Sequence, residues 1–132
     1  MAVRSPQILL AAVACLLAGS AGCGQSDQER VRRVADDYAE TVAAGEFAAT
    51  CELFAAKYRR RLGGPRSCEE GLANQFGEAS GPPVEITLAR VGVRGERANA
   101  ELLISRDGGP PSPLTLRLQL HGDDRWRIID QQ

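Results

Sequence analysis

Residues 81–93 read GPPVEITLARVGV, and this stretch decides the fold because the hydrophobic period changes within it. Upstream, apolar residues recur every three to four positions, which is the spacing of an amphipathic helix. After the two prolines they alternate with polar residues, beginning at Val84, and they continue one position out of phase at Val91. A slip of one residue predicts a β-bulge near Ala89. The sequence therefore predicts helices before this stretch and antiparallel strands from it onward.

Three helices are predicted before the boundary. The first begins at Asp27 and has one apolar face, and Gly45 is the residue type that ends helices. The second begins at Glu46 and continues through Tyr58. The third is predicted from Ser67, which starts an S-x-x-E capping pattern, to about residue 76.

Four strands are predicted after the boundary, each with alternating apolar residues and each separated by a turn or loop. Their apolar positions begin at Val84, Ala98, Leu114 and Trp126. Helices followed by a meander of strands predict an α+β architecture, with three N-terminal helices packed on one face of a curved antiparallel sheet of about four strands.

The first 22 residues have the form of an export signal. Arg4 precedes an apolar run, Ile8–Leu17, that is too short to span a membrane, and small residues follow it. Ser20-Ala21-Gly22-Cys23 resembles the lipobox of bacterial lipoproteins. That resemblance implies cleavage before Cys23 and a diacylglycerol on its sulfur, which would hold the chain on the extracytoplasmic face of the cell membrane. Ordinary signal-peptidase cleavage after Ala21 is the alternative.

The chain is accordingly divided into a signal peptide over residues 1–22, a lipidated cysteine with a short tether over 23–26, and a domain over 27–132. The tether reaches only about 10–14 Å, so we expect the domain to sit against its membrane. Arg59–Arg61 could then contact anionic headgroups, although cations at a helix C-terminus also suit the helix dipole.

The charge balance and the cysteines narrow the class of protein. Without Arg4 the chain has 15 basic and 17 acidic residues, which argues against a nucleic-acid partner. A single histidine argues against most histidine-based metal sites, and we predict no metal and no other cofactor. Cys51 and Cys68 remain after export, 17 positions apart, and we expect a structural disulfide. A reactive thiol or a metal-binding pair is the alternative.

Several features together resemble the nuclear-transport-factor-2-like superfamily, notably small bacterial lipoproteins with lumazine-binding-like or SnoaL-like domains. They are the amphipathic first helix, the AGEF turn at Ala44–Phe47, the meander after Pro83 and DRWRIID at residues 124–130. The resemblance covers about residues 27–130. It implies a cystatin-like α+β roll, in which a curved sheet wraps a long helix and forms a cone. A short strand that this family often places between its second and third helices is not evident.

Tyr38 lies on the apolar stripe of the first helix, where some enzymes of this superfamily keep an oxyanion-stabilising tyrosine. The resemblance therefore implies a pocket residue at Tyr38. No carboxylate partner is recognisable among the inward strand positions, so we predict no catalytic residue. We expect a non-catalytic lipoprotein that binds a small apolar ligand or an envelope protein. An isomerase or cyclase that uses Tyr38 is the alternative.

Overall fold

The computed structural model describes residues 25–77 and 81–132, which form four helices followed by a four-stranded antiparallel sheet. The helices are α1 (Asp27–Ala43), α2 (Phe47–Glu52), α3 (Ala56–Arg61) and α4 (Pro65–Phe76), and the strands are β1 (Val84–Arg94), β2 (Arg97–Arg106), β3 (Ser112–Leu120) and β4 (Trp126–Gln131). The predicted signal peptide and Cys23 lie outside the described residues. Among the helices that are described, none is long and apolar enough to cross a membrane.

Helix α1 begins at a complete capping box. The Ser26 hydroxyl accepts a hydrogen bond from the Glu29 backbone N–H at 3.2 Å, and the Glu29 carboxylate accepts one from the Ser26 N–H at 3.3 Å. Of the predicted apolar stripe, Val31, Ala35, Tyr38 and Val42 are buried, and Val34 is partly buried. After α1 the chain turns through Gly45, whose positive φ of 72° is a conformation that glycine adopts without strain.

The prediction of one helix from Glu46 through Tyr58 is wrong, because this segment forms two short helices. Between α2 and α3, Phe54 forms a parallel β-bridge with Ile128 of β4. The Ile128 N–H donates to the Leu53 carbonyl at 3.0 Å, and the Ala55 N–H donates to the Ile128 carbonyl at 2.8 Å. β4 is an edge strand, and pairing with its free side requires extended backbone, which interrupts the helix.

The start of the last helix also differs from the prediction. Helix α4 begins at Pro65, after Gly64, and not at Ser67. Proline is favoured at the first helical position because the N–H it lacks has no partner there in any case. Ser67 is therefore already inside the first turn, and the expected capping box does not form.

The sheet is a meander in the order β1-β2-β3-β4. Its first bulge lies between Leu88 and Arg90, as the slip in the sequence predicts. A second irregularity lies between β3 and β4, where Ile129 is an extra residue opposite the step from Arg117 to Leu118. Bulges increase local twist and bend the strand, so both contribute to the curvature of the sheet around α1.

Candidate functional site

Among the described residues, a cluster of buried side chains packs between α1 and the inner face of the sheet. Tyr38 is fully buried at its centre. Its ring centroid lies 6.4 Å from that of Phe54 and 6.4 Å from that of Phe76. Leu102 and Leu116 of the sheet are fully buried against the same cluster. The cone that the sequence implies is thus packed around Tyr38.

The Tyr38 hydroxyl has a protein partner at the end of a short polar chain. It donates to the Gln131 side-chain oxygen at 2.9 Å, and the Gln131 amide donates to the Gln75 side-chain oxygen at 2.8 Å. Burial raises the pKa of Tyr38 above the usual range of a tyrosine, and the nearby Tyr58 raises it further. Tyr38 therefore stays protonated, and its hydroxyl donates a hydrogen bond to Gln131.

The second bulge decides which polar group meets Tyr38. Strict alternation after Ile128 would place Asp130 on the inner face. Because Ile129 is an extra residue, Asp130 instead lies opposite Arg117 on the outer face, with its carboxylate 3.9 Å from the guanidinium. Gln131 takes the inner position, so an amide and not a carboxylate reaches Tyr38.

Within residues 25–77 and 81–132, and apart from the tyrosines and Trp126, Thr50 is the only buried residue with a polar or charged side chain. Its hydroxyl is bonded to the Thr41 hydroxyl at 2.8 Å and to the Glu46 carbonyl at 3.1 Å. Acid–base catalysis on a bound substrate needs a carboxylate or an imidazole close to the reacting atoms. The described core brings no such group to Tyr38.

Cys51 and Cys68 form the expected disulfide, which joins α2 to α4 with the Cα atoms 6.2 Å apart. Both sulfurs are used in this bond and both cysteines are buried, so the structure has no free thiol at either position. The part of the chain that the structure describes contains no group of three or more histidine, cysteine or acidic side chains placed to hold a metal ion.

Gln75 and Gln131 are the site residues that sequence reasoning missed. Gln75 lies beside Phe76 near the end of α4, where it carries no pattern signal. Gln131 has the wrong parity for the inner face unless the bulge is known. Neither residue could have been selected without the register of the sheet.

Comparison with solved structures identifies the fold as nuclear-transport-factor-2-like (NTF2-like). An NTF2-like protein of unknown function from Shewanella baltica superposes with a TM-score of 0.59 and 14% identity, over 78% of this chain and 88% of that one. A proposed dehydratase of the NTF2-like family from Streptomyces avermitilis gives 0.57 and 18%, over 80% and 92%.

A de novo designed protein with a curved β-sheet gives a TM-score of 0.54 and 16% identity, over 76% of this chain and 95% of that one. No protein-family model matches the sequence, and no curated relative matches it. At these identities the likeness concerns the fold, and an activity has to be argued from the site itself.

Proposed function

We propose that this protein is a membrane-anchored lipoprotein of the cell envelope whose NTF2-like domain is non-catalytic and acts through its surface. The observation that carries the second part is the packed interior. Three aromatic rings and two leucines are buried together between α1 and the sheet, and this packing favours a core over an open binding cavity. The polar chain from Tyr38 through Gln131 to Gln75 satisfies the hydrogen-bonding groups at its end.

The anchored part of the proposal is supported by the sequence and by the start of the domain. The resemblance to a lipobox makes Cys23 the candidate for lipidation, and α1 is capped only three residues later, at Ser26. Two acyl chains of a diacylglycerol suffice for stable attachment to a bilayer, whereas one gives only marginal binding.

Mass spectrometry of the full chain expressed in a bacterium tests the anchor. We expect a mature N-terminus at Cys23 that carries a diacylglycerol mass, and recovery in the membrane fraction. The Cys23→Ala variant is the control, and it should lack the lipid and leave that fraction. A wild-type protein cleaved after Ala21 without lipid would contradict the anchor.

Native mass spectrometry of the same membrane-extracted protein, in mild detergent, tests the packed interior. We expect the lipidated mass with no retained small molecule, because the cone is filled by its own side chains. A small molecule that persists in the wild type and is lost in Tyr38→Trp, which adds ring volume at the centre, would instead show an interior binding site. That outcome would overturn the proposal that the domain acts through its surface.

A further inference from the structure

Three parts of the chain meet at one end of the domain. The Trp126 indole N–H at the start of β4 donates to the Asp27 carboxylate at the start of α1, at 3.2 Å. The Leu120 N–H at the end of β3 donates to the Glu96 carbonyl in the β1–β2 turn, at 2.8 Å. The end of the domain that receives the tether therefore also carries the β1–β2 and β3–β4 turns.

A basic groove opens on the outer face of the sheet at this end, with a volume of about 410 Å³. We define the basic groove by Gly92, Arg94, Arg97, Asn99, Arg117 and Ile129. The register places Arg94 opposite Arg97, and Asn99 between Gly92 and Arg117. No atom lies within 4 Å of the position that a Cβ on Gly92 would occupy, so the groove is open at that residue.

In the described part of the chain, two of the exposed arginines of this groove lack the acidic partners that Arg90 and Arg127 have elsewhere in the sheet. Arg90 pairs with Glu101 at 2.7 Å, and Arg127 pairs with Asp123 at 2.5 Å. Within the described residues, by contrast, the exposed Arg94 and Arg97 form no ion pair.

Within the groove itself, Arg117 has only the 3.9 Å contact with Asp130. Glu96, in the turn between the two exposed arginines, is the other carboxylate nearby. Three arginines thus line one groove, and among the described residues their one ion-pair contact is that of Arg117 with Asp130.

We propose that the basic groove binds the phosphate of an acidic phospholipid headgroup and so fixes the orientation of the domain on its membrane. The inference rests on the proposed lipid anchor, because the tether of residues 23–26 would keep this end within about 10–14 Å of the bilayer. Guanidinium groups match phosphate oxygens in geometry, and the Asn99 amide adds an uncharged donor. An anionic membrane surface attracts arginines most strongly within a Debye length.

The arginines of α3 are the competing headgroup contact. Arg61 is already used by the fold, since it donates to the Ile129 carbonyl at 3.1 Å and its guanidinium lies 5.1 Å from the centre of the Tyr58 ring. Arg59 and Arg60 remain; they supply two charges of the same kind, and neither lines the basic groove. They provide a matched control for charge alone.

The test is calorimetric titration of the full chain in neutral detergent with a short-chain phosphatidylglycerol at low salt. We expect the wild type to bind, and Arg94→Gln/Arg97→Gln to bind about tenfold more weakly. Arg59→Gln/Arg60→Gln, which loses the same charge, should stay within about twofold of the wild type. Melting temperatures of both variants show whether the fold is retained, and the single Arg94→Gln variant replaces the pair if it is not.

Three further results would overturn the proposal. Equal weakening by both pairs would show attraction to net charge and no defined site. Equal affinity for short-chain phosphatidylcholine would exclude an acidic-headgroup site. Inorganic phosphate that binds as tightly as the lipid would identify a site for a free anion. Binding of the short-chain lipid can be measured whether or not Cys23 is lipidated. Lipidation of Cys23 is tested separately, by the mass of the mature N-terminus.

Discussion

At the scale of single residues, the hydrogen-bond partner of Tyr38 depends on one extra residue in β4. The bulge at Ile129 turns Asp130 outward and brings Gln131 to the tyrosine hydroxyl. A carboxylate at that position would be a candidate base beside a hydroxyl, whereas an amide only accepts a hydrogen bond. The inner end of the cone is therefore a structural hydrogen-bonded pair in this protein.

We expect Tyr38→Phe to lower the free energy of unfolding by about 1 kcal/mol at neutral pH, because Gln131 loses its donor. Since burial raises the pKa of Tyr38 in the folded state, the neutral hydroxyl stabilises the fold fully below the ordinary tyrosine pKa of about 10. That stabilisation is lost as the pH rises toward the raised value. Urea unfolding should show that the difference in free energy of unfolding between the wild type and Tyr38→Phe is smaller at about pH 10.5 than at pH 7. A constant difference at both pH values would contradict this account.

At the scale of elements, local sequence signals and edge pairing compete. The segment from Phe47 to Tyr58 has helical spacing throughout, yet the free side of β4 pairs with Phe54 and divides the segment into two helices. Two S-x-x-E patterns occur near helix starts, and only the one at Ser26 caps a helix. Pro65 decides the other case, because it starts α4 two residues before Ser67.

The two serines give a matched pair for the role of capping. Ser26→Ala should lower the free energy of unfolding by about 1 kcal/mol, because the Glu29 N–H loses its acceptor. Ser67→Ala should change it by less than about 0.5 kcal/mol. Chemical denaturation of the two variants beside the wild type measures both values. An equal loss in both would mean that Ser67 also caps its helix.

The disulfide is expected to make a large contribution to the free energy of unfolding. Closing a loop of this size is worth about 3 kcal/mol in the chain-entropy model, and Cys51 and Cys68 are 17 positions apart. Replacing both with alanine should lower the urea midpoint accordingly. Reduced wild-type protein is the control, and it should fall close to the double variant. Unchanged stability in both would show that α2 and α4 are held together by packing alone.

At the scale of the whole molecule, helices and sheet share one core. Trp126 is the only tryptophan, it is buried, and its indole bonds to Asp27 where α1 meets β4. We expect one cooperative transition, so tryptophan fluorescence and far-UV circular dichroism should give coincident urea curves. Curves that separate in the oxidised protein would show that the helices and the sheet unfold independently.

The sequence alone determines the architecture of this domain. The stripe of α1, the alternation of the strands and the slip at Ala89 are local periodicities, and each survives in the structure because burial of one face selects it. The sequence also predicts the α+β class and the pairing of Cys51 with Cys68.

The tertiary structure decided what depends on register and on neighbours distant in sequence. The break at Phe54 needs the free side of β4, and the inward position of Gln131 needs the second bulge. The basic groove needs two hairpins side by side, which bring Arg94, Arg97 and Arg117 together. These features arise from contacts across the sheet and between β4 and the helices, and a pattern along the chain carries no record of which strands meet or where their register shifts.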